Sequence, residues 1–187
     1  MSKVDLSVKI GSLKLRNPIL LASGTVGYGN EISEFTDLNK LGGIITKSLS
    51  LKPRKGNPPQ RIVETPSGML NAIGLANVGV DVFLEEKIPF LKKFDVPLIC
   101  NIAASTFDEY RECTRILTEE DTIKAFEINV SCPNVREGGL SFGNNLSSVG
   151  KITELVRAVT NKPIIIKLSP NVSYISEFAK VAKEYGA

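Results

Sequence analysis

Apolar positions are spaced in two regimes along this chain. Through residue 80 the apolar runs are short and irregular, and beyond it they recur at regular intervals. At the start, residues 4–10 and 13–15 alternate apolar with polar side chains around Gly11-Ser12, which predicts two short strands joined as a hairpin ahead of the main body. After Asn17-Pro18, the unbroken run Ile19-Leu20-Leu21-Ala22 predicts a strand covered on both faces, closed by Ser23 and Gly24. Asn30 offers an N-cap to a helix whose apolar positions Ile32, Phe35, Leu38 and Leu41 recur at helical spacing up to Gly42-Gly43. A strand at 44–46 then delivers Lys47 and Ser48 at its end. Residues 49–80 show no long periodic element.

Beyond Val80 the pattern predicts a helix at 82–91, a strand at 97–102, a helix at 107–117, a strand at 126–130, a helix at 147–160, a strand at 163–168 and a helix at 173–185, with Gly186 as its left-handed C-cap. This is repeated βα structure. Polar residues stand at the C-terminal end of each main strand: Ser23, Lys47, Asn101, Asn129 with Cys132, and Lys167. Parallel βα barrels and sheets bind ligands at that end, where the loops converge. The expected fold is therefore an α/β chain of the (β/α)8 TIM-barrel type, holding about the first five βα units behind an N-terminal β-hairpin. The doubly wound alternative lacks a phosphate fingerprint after the first strand, since Gly24-Thr25-Val26-Gly27-Tyr28-Gly29 has the spacing Gly-x-x-Gly-x-Gly and reads as a flexible loop.

Composition narrows the partners. A chain of 187 residues with 42% hydrophobic content can bury the core of one domain. A net charge of +3 is too slight for a dedicated nucleic-acid or membrane surface, so a small molecule is the expected ligand. The first residues, Met-Ser-Lys-Val-Asp, alternate polar with apolar side chains and read as neither a signal peptide nor a membrane span, so a cytoplasmic location is expected. Cys100, Cys113 and Cys132 are widely spaced, which suggests neither a disulfide framework nor an iron–sulfur site. With no histidine, the chain cannot hold a Ser-His-Asp triad, a Cys-His pair or a histidine-ligated zinc. A base must be Cys, Asp, Glu, Lys or Tyr.

Two stretches carry candidate chemistry. Residues 126–134, Phe-Glu-Ile-Asn-Val-Ser-Cys-Pro-Asn, run from a β-branched strand into a loop, so Asn129 and Cys132 sit where a ligand can meet them. Gly138 and Gly139 follow in a polar segment with the character of a lid. Residues 64–75 mix apolar residues with Gly and Asn, unlike a solvated linker, and read as a binding loop. The basic, proline-rich segment before them, residues 52–61, could touch phosphates, although a solvated loop is the favoured reading. Each candidate also has a plain reading. A lone cysteine is commonly a small core hydrophobe, a lysine ending a strand snorkels to water, and loop asparagines satisfy turns. Convergence on one face favours function for Lys47, Asn71, Asn129 and Lys167, while Cys100 and Cys113 read as structural.

The motifs Ala22-Ser23-Gly24-Thr25, Thr46-Lys47-Ser48, Thr65-Pro66-Ser67-Gly68-Met69-Leu70-Asn71-Ala72-Ile73-Gly74-Leu75, Asn129-Val130-Ser131-Cys132-Pro133-Asn134 and Lys167-Leu168-Ser169-Pro170-Asn171 occur in the order and spacing of a known family. The chain resembles dihydroorotate dehydrogenase of class 1, most closely the class 1B catalytic subunit, over essentially its whole length. The resemblance implies one FMN-binding barrel domain over 1–187 that oxidises (S)-dihydroorotate to orotate in de novo pyrimidine biosynthesis. Cys132 matches the base that removes the C5 proton while hydride passes from C6 to the flavin. Class 2 members carry serine there. Ser23, Lys47, Ser48, Asn101, Asn129 and Lys167 match FMN contacts. Lys47 is near both flavin and substrate, and Lys167 is on the flavin N1 side, where it would stabilise arriving negative charge. Asn71, Ala72, Ile73, Gly74 and Leu75 match the substrate loop, and Lys47 and Asn129 are shared with substrate. No metal site is implied.

Class 1A enzymes use fumarate, whereas class 1B enzymes pass electrons to NAD through a subunit carrying FAD and a two-iron two-sulfur cluster. The wording of residues 71–75 and Gly138-Gly139 leans to class 1B, which implies that partner and a homodimer at the core of a heterotetramer. The family has about eight βα units, and this chain ends before the sixth strand. The usual phosphate site after strands seven and eight, and the family's last substrate Asn-Ser/Thr pair, are therefore expected outside it. Two alternatives stay open. A tRNA-dihydrouridine synthase-like flavoenzyme shares the Asn-x-x-Cys-Pro motif but calls for a basic RNA-binding face, and a non-catalytic half-barrel would associate with itself or a complementary half.

Overall fold

The computed structural model describes residues 4–131, 136–137 and 140–187, without side-chain detail at 136, 137, 140 and 141. Strands β1 (Val8–Ile10) and β2 (Leu13–Leu15) pair antiparallel as the expected hairpin, with Gly11 at φ +56° in its turn. The first strand is shorter than its alternation suggests. Asp5 Oδ1 accepts the Ser7 N–H at 2.8 Å, a local turn that leaves Val4 and Leu6 exposed.

Five parallel strands make the central sheet: β3 (Leu20–Leu21), β4 (Gly43–Ile45), β7 (Leu98–Ile102), β8 (Ile123–Asn129) and β11 (Ile164–Lys167). They neighbour one another in sequence order with no reversal. That winding builds a barrel, whereas a doubly wound sheet reverses at a switch point. The fold is a partial TIM barrel with the hairpin at its N-terminal end. Between β4 and β7, strands β5 (Ile62–Thr65) and β6 (Gly68–Asn71) form an antiparallel hairpin at the tip of an exposed arm. Strands β9 (Arg136–Glu137) and β10 (Leu140–Ser141) pair antiparallel as a third short hairpin, after β8.

The helices depart from expectation in two places. The helix predicted from an Asn30 cap is broken: Gly29 is its N-cap, and α1 spans only Asn30–Ser33. A separate 3₁₀ turn covers Leu38–Lys40. Asp37 is the cause, since its side chain accepts the Asn39 N–H at 3.0 Å and holds its own backbone extended, which interrupts the α-helical ladder. Phe35, expected on the apolar face, is exposed. The helix predicted at 82–91 starts earlier, as α2 (Gly79–Val82), then a π-helical turn (Phe83–Lys87), then α3 (Ile88–Leu91). Pro89 has no N–H and its ring crowds the carbonyl four residues back, so the ladder widens ahead of it. The arm corrects a third expectation. Residues 49–80 are structured by the Arg54–Asn77 bridge, the Ala72 N–H to the Arg61 carbonyl at 2.8 Å, and the β5–β6 hairpin.

Helix α4 (Phe107–Leu117) has its predicted bounds, capped by Thr106, whose hydroxyl accepts the Glu109 N–H at 3.1 Å. Helix α5 (Leu146–Arg157) is capped likewise by Asn145. Helix α6 (Ile175–Glu184) ends in a Schellman motif: Gly186, at φ +104°, donates to the Lys183 carbonyl and Ala187 to that of Ala182. These helices cover the outer face of the sheet, where Phe83, Tyr110, Phe126, Ile128 and Val156 are buried in the larger core. Each such side chain contributes about 1.5–3 kcal/mol of burial. A smaller core lies on the inner face, where Leu13 and Leu15 of the hairpin pack on Ile45, Ile99 and Ala125, with Leu20 and Ile165 at its edge. Among the described residues no helix is long and apolar enough to cross a membrane.

Candidate functional site

Side chains on a strand alternate between faces, so the inner face of each strand is read every second residue. On β7 these are Ile99 and then Asn101. On β8 they are Ala125, Glu127 and Asn129, and on β11 Ile165 and Lys167. In each strand the apolar residue belongs to the end under the hairpin and the polar one to the C-terminal end. The register aligns them: Asn101 pairs with Glu127, and Asn129 with Lys167.

At that end a hydrogen-bonded cluster forms from four strand ends. Lys167 Nζ donates to Ser23 Oγ at 3.1 Å, and Ser23 Oγ donates to Glu127 Oε1 at 3.2 Å. Asn101 Nδ2 donates to the same carboxylate oxygen and lies 3.4 Å from Ser23 Oγ. The Asn101 N–H is held by Thr46 Oγ1 at 3.1 Å, which ties β7 to β4. Asn101 is wholly covered, and its Oδ1 is a buried acceptor with no donor among the described residues. An orphan of this kind costs about 1–3 kcal/mol.

Asn129 closes β8 with an Asx turn. Its Oδ1 accepts the N–H of Ser131 at 3.2 Å and the hydroxyl at 2.7 Å, while its backbone carbonyl accepts Tyr110 Oη at 2.8 Å. The amide is thereby oriented, with Nδ2 left as the free donor among the described residues. Lys47 and Ser48 continue β4 past its last residue, both half-buried. The Lys47 N–H donates to the Gly27 carbonyl at 2.8 Å and the Leu49 N–H to that of Asn101 at 2.9 Å, so the pair lies between the glycine loop and β7. The Lys47 ammonium has no partner among the described residues.

Residues 71–75 sit apart, where the arm returns to the barrel, and make no hydrogen bond to the cluster among the described residues. Their carbonyls are secured: Asn57 Nδ2 donates to Ala72 at 2.7 Å, the Asn57 N–H to Ile73 at 3.0 Å, and Asn77 Nδ2 to Leu75 at 2.8 Å. Leu75 holds φ +55° beside Gly74 at +75°, a left-handed pair that costs a non-glycine residue about 1–3 kcal/mol. Such strain is concentrated at ligand clamps. The basic stretch before this segment is largely solvated, and Arg54 pairs with Glu109 at 3.4 Å. Cys132, with Pro133, Asn134, Gly138 and Gly139, lies outside the described residues.

The other two thiols are core residues. Burial pushes Cys100 far above the ordinary thiol range and Cys113 up to about 12, so neither supplies a thiolate near neutral pH. Glu127 is the residue that sequence reasoning passed over. Its signal was available, as an acid two positions before Asn129 and hence on the same face of a strand otherwise apolar around it.

The polar end can hold a flat, hydrogen-bonding ligand against one ammonium, one hydroxyl and oriented amides. A flavin fits that donor set. Its carbonyls and ring nitrogens would accept from Lys167 and from the Asn129 amide, and its one ring N–H would suit the Asn101 oxygen once the side chains covering that atom part, while Ser23, whose proton goes to Glu127, holds Lys167 in place.

A sequence model of the family described as dihydroorotate dehydrogenase matches residues 5–187. The chain is 52% identical over 187 residues to a protein of Geotalea daltonii named dihydroorotate dehydrogenase B (NAD(+)), catalytic subunit, covering 100% of this chain and 61% of that protein. Proteins of the same name from Trichlorobacter lovleyi and Thermoanaerobacter sp. are 52% identical over 185 residues and 50% over 184. Those alignments cover 99% and 98% of this chain and, in each case, 61% of the relative.

Proposed function

The chain belongs to the dihydroorotate dehydrogenase family, and from that premise we propose that it carries the reacting face for FMN-dependent oxidation of (S)-dihydroorotate to orotate in UMP biosynthesis. The observation that carries the reading is convergence. Ser23, Asn101 and Lys167 come from three separate strand ends, 144 residues apart at the extreme, and meet in one hydrogen-bonded cluster at the ligand-binding end of a partial barrel.

FMN, when bound, supplies a two-electron acceptor for the hydride. The remaining work belongs to side chains. Cys132 takes the C5 proton as base. An unperturbed thiol has a pKa of about 8.5, so proton removal gains from alkaline pH. Lys47, an ammonium without a partner among the described residues, balances the substrate carboxylate. Asn129 offers its free Nδ2 to a substrate carbonyl, and residues 71–75 hold the ureide edge, where Asn71 supplies a donor and an acceptor. Lys167 stabilises negative charge arriving with the hydride. The names of the relatives support NAD as the final acceptor, reached through a partner subunit that carries FAD and a two-iron two-sulfur cluster. The catalytic chains form a homodimer within a cytoplasmic heterotetramer, and residues 1–187 act as a single flavin-binding unit.

The test is anaerobic. The 187-residue chain, saturated with FMN, is mixed with dihydroorotate while the flavin absorbance is followed. Bleaching is expected, and Cys132→Ser should keep the flavin but bleach severalfold more slowly or worse. Failure to take up FMN overturns the flavin reading for this chain. Unchanged bleaching in the variant removes Cys132 as base.

A further inference from the structure

Among the described residues Glu127 is the only Asp, Glu, Lys or Arg that the fold buries, at 8% exposed. Burying a carboxylate is costly unless hydrogen bonds compensate it. Here compensation comes from two residues of the proposed flavin face, Ser23 and Asn101, both donating to Oε1. The core does not require an acid at this place. The register neighbour on one side is the aliphatic Ile165, and Ala125, two residues earlier on the same face, packs in an apolar cluster with Leu13, Leu15, Ile45 and Ile99.

We propose that Glu127 is a positioning residue for the flavin site, one that orders the hydrogen bonds of Ser23 and Asn101 and offsets the charge of Lys167. The inference rests on the flavin reading above and deepens it. Because Oε1 accepts, Asn101 must turn Nδ2 toward it, and Oδ1 becomes the atom left without a partner among the described residues, open to a ligand N–H once its cover parts. Because Oε1 also takes the Ser23 proton, the Ser23 lone pairs face the ammonium of Lys167. Donation thus runs one way, from Lys167 to Ser23 to Glu127. The buried negative charge at the end of this chain moderates the field of Lys167, so Glu127 sets both the orientation of the polar layer and how readily electrons enter a flavin lying on it.

The experiment measures the midpoint potential of FMN bound to the 187-residue chain, to E127Q, to S23A and to the double variant, with a urea midpoint for each apo chain. Glutamine has the shape of glutamate without its charge. With the carboxylate gone, the ammonium acts unopposed, and reduction of the bound flavin should become at least tenfold more favourable, about 30 mV for a two-electron couple. In the S23A background the same substitution should shift the potential less, because the link to Lys167 is already cut. A role in packing alone would move the urea midpoint and not the potential. A potential unchanged in E127Q, or shifts that add in full in the double variant, overturns the proposal while the flavin reading stands. A parent chain that binds no FMN overturns the flavin reading, and the Glu127 role falls with it. Should E127Q not fold, E127D is measured in its place, since withdrawing the charge by one methylene should raise the potential in the same direction, and no shift overturns the proposal.

Discussion

The two ends of the inner sheet face differ by two residues of sequence and by nearly everything else. Ile99, Ala125 and Ile165 lie at the hairpin end, packed on or beside Leu13 and Leu15. One pleat further along the same strands stand Asn101, Glu127 and Lys167, joined to Ser23 by hydrogen bonds. From the Ile99–Ala125 pair onward the backbone is one regular parallel ladder, the only shift in the β7–β8 register falling before it, between Leu98 and Ile99. The strand therefore imposes the spacing, and only the side chains decide which layer stabilises and which meets a ligand. In a barrel this separation lets the C-terminal layer hold poorly satisfied groups, such as the Asn101 oxygen, because the layer beneath it is well packed.

Moving an acid down one pleat breaks the separation most severely. Ala125→Asp places a carboxylate among the apolar side chains of Leu13, Leu15, Ile45 and Ile99. An uncompensated buried charge of this kind costs about 3–5 kcal/mol. Urea unfolding should show that loss or an unfolded chain, whereas a midpoint near the parent's would mean that the hairpin end is open to water.

A paired truncation sharpens the comparison. Ile99→Ala removes buried methylenes and should cost about 2–5 kcal/mol while leaving FMN affinity within about twofold. Lys167→Ala, half-buried at the other end, should change stability by less than about 1 kcal/mol and weaken FMN at least about tenfold, the loss of one charge-assisted hydrogen bond. Flavin fluorescence quenching and urea unfolding, run on both variants, measure the two effects. Equal effects on both quantities in both variants would dissolve the distinction between the layers.

Much of this arrangement was legible before the fold was known. Regular apolar spacing beyond Val80 located α4, α5, α6 and the strands between them, because each element there has one clear period and a recognisable stop. The segment before Val80 was read less well, for local reasons. Asp37 diverts the backbone through side-chain hydrogen bonds from Asn39, and one acid among apolar residues at helical spacing looks like a solvated position. The arm's hairpin was hidden because Ile62, Val63, Met69 and Leu70 are all exposed, so no face of it shows the alternation that burial imposes. Within the site, Ser23, Asn101 and Lys167 were nominated by their strand-end positions. Glu127 was not, since a strand-interior acid acquires meaning only when the register sets Asn101 beside it.

The opposite face of β7 offers the smallest and most graded test. Cys100 lies between Ile99 and Asn101 in sequence but points into the outer core, and Cys113 meets that core from α4. Burial raises both thiols, Cys113 to about 12 and Cys100 further. The unfolded chain ionises its thiols near pH 8.5, roughly, while the folded chain keeps these two protonated. Their contribution to stability is therefore complete below that pH and is lost as pH rises toward the folded values. Each thiol should lower the unfolding free energy by about 1.4 kcal/mol per pH unit above that point. Urea midpoints at pH 8, 9.5 and 10.5 should fall accordingly, and Cys113→Ala should flatten the slope while lowering the whole curve. Tyr28, raised to about 12 by the same burial, adds to the fall only above its ordinary value near 10. A slope unchanged in the Cys113→Ala chain would show water reaching that thiol, and with it that the outer core of the half-barrel is less tightly closed than the inner face beneath the flavin layer.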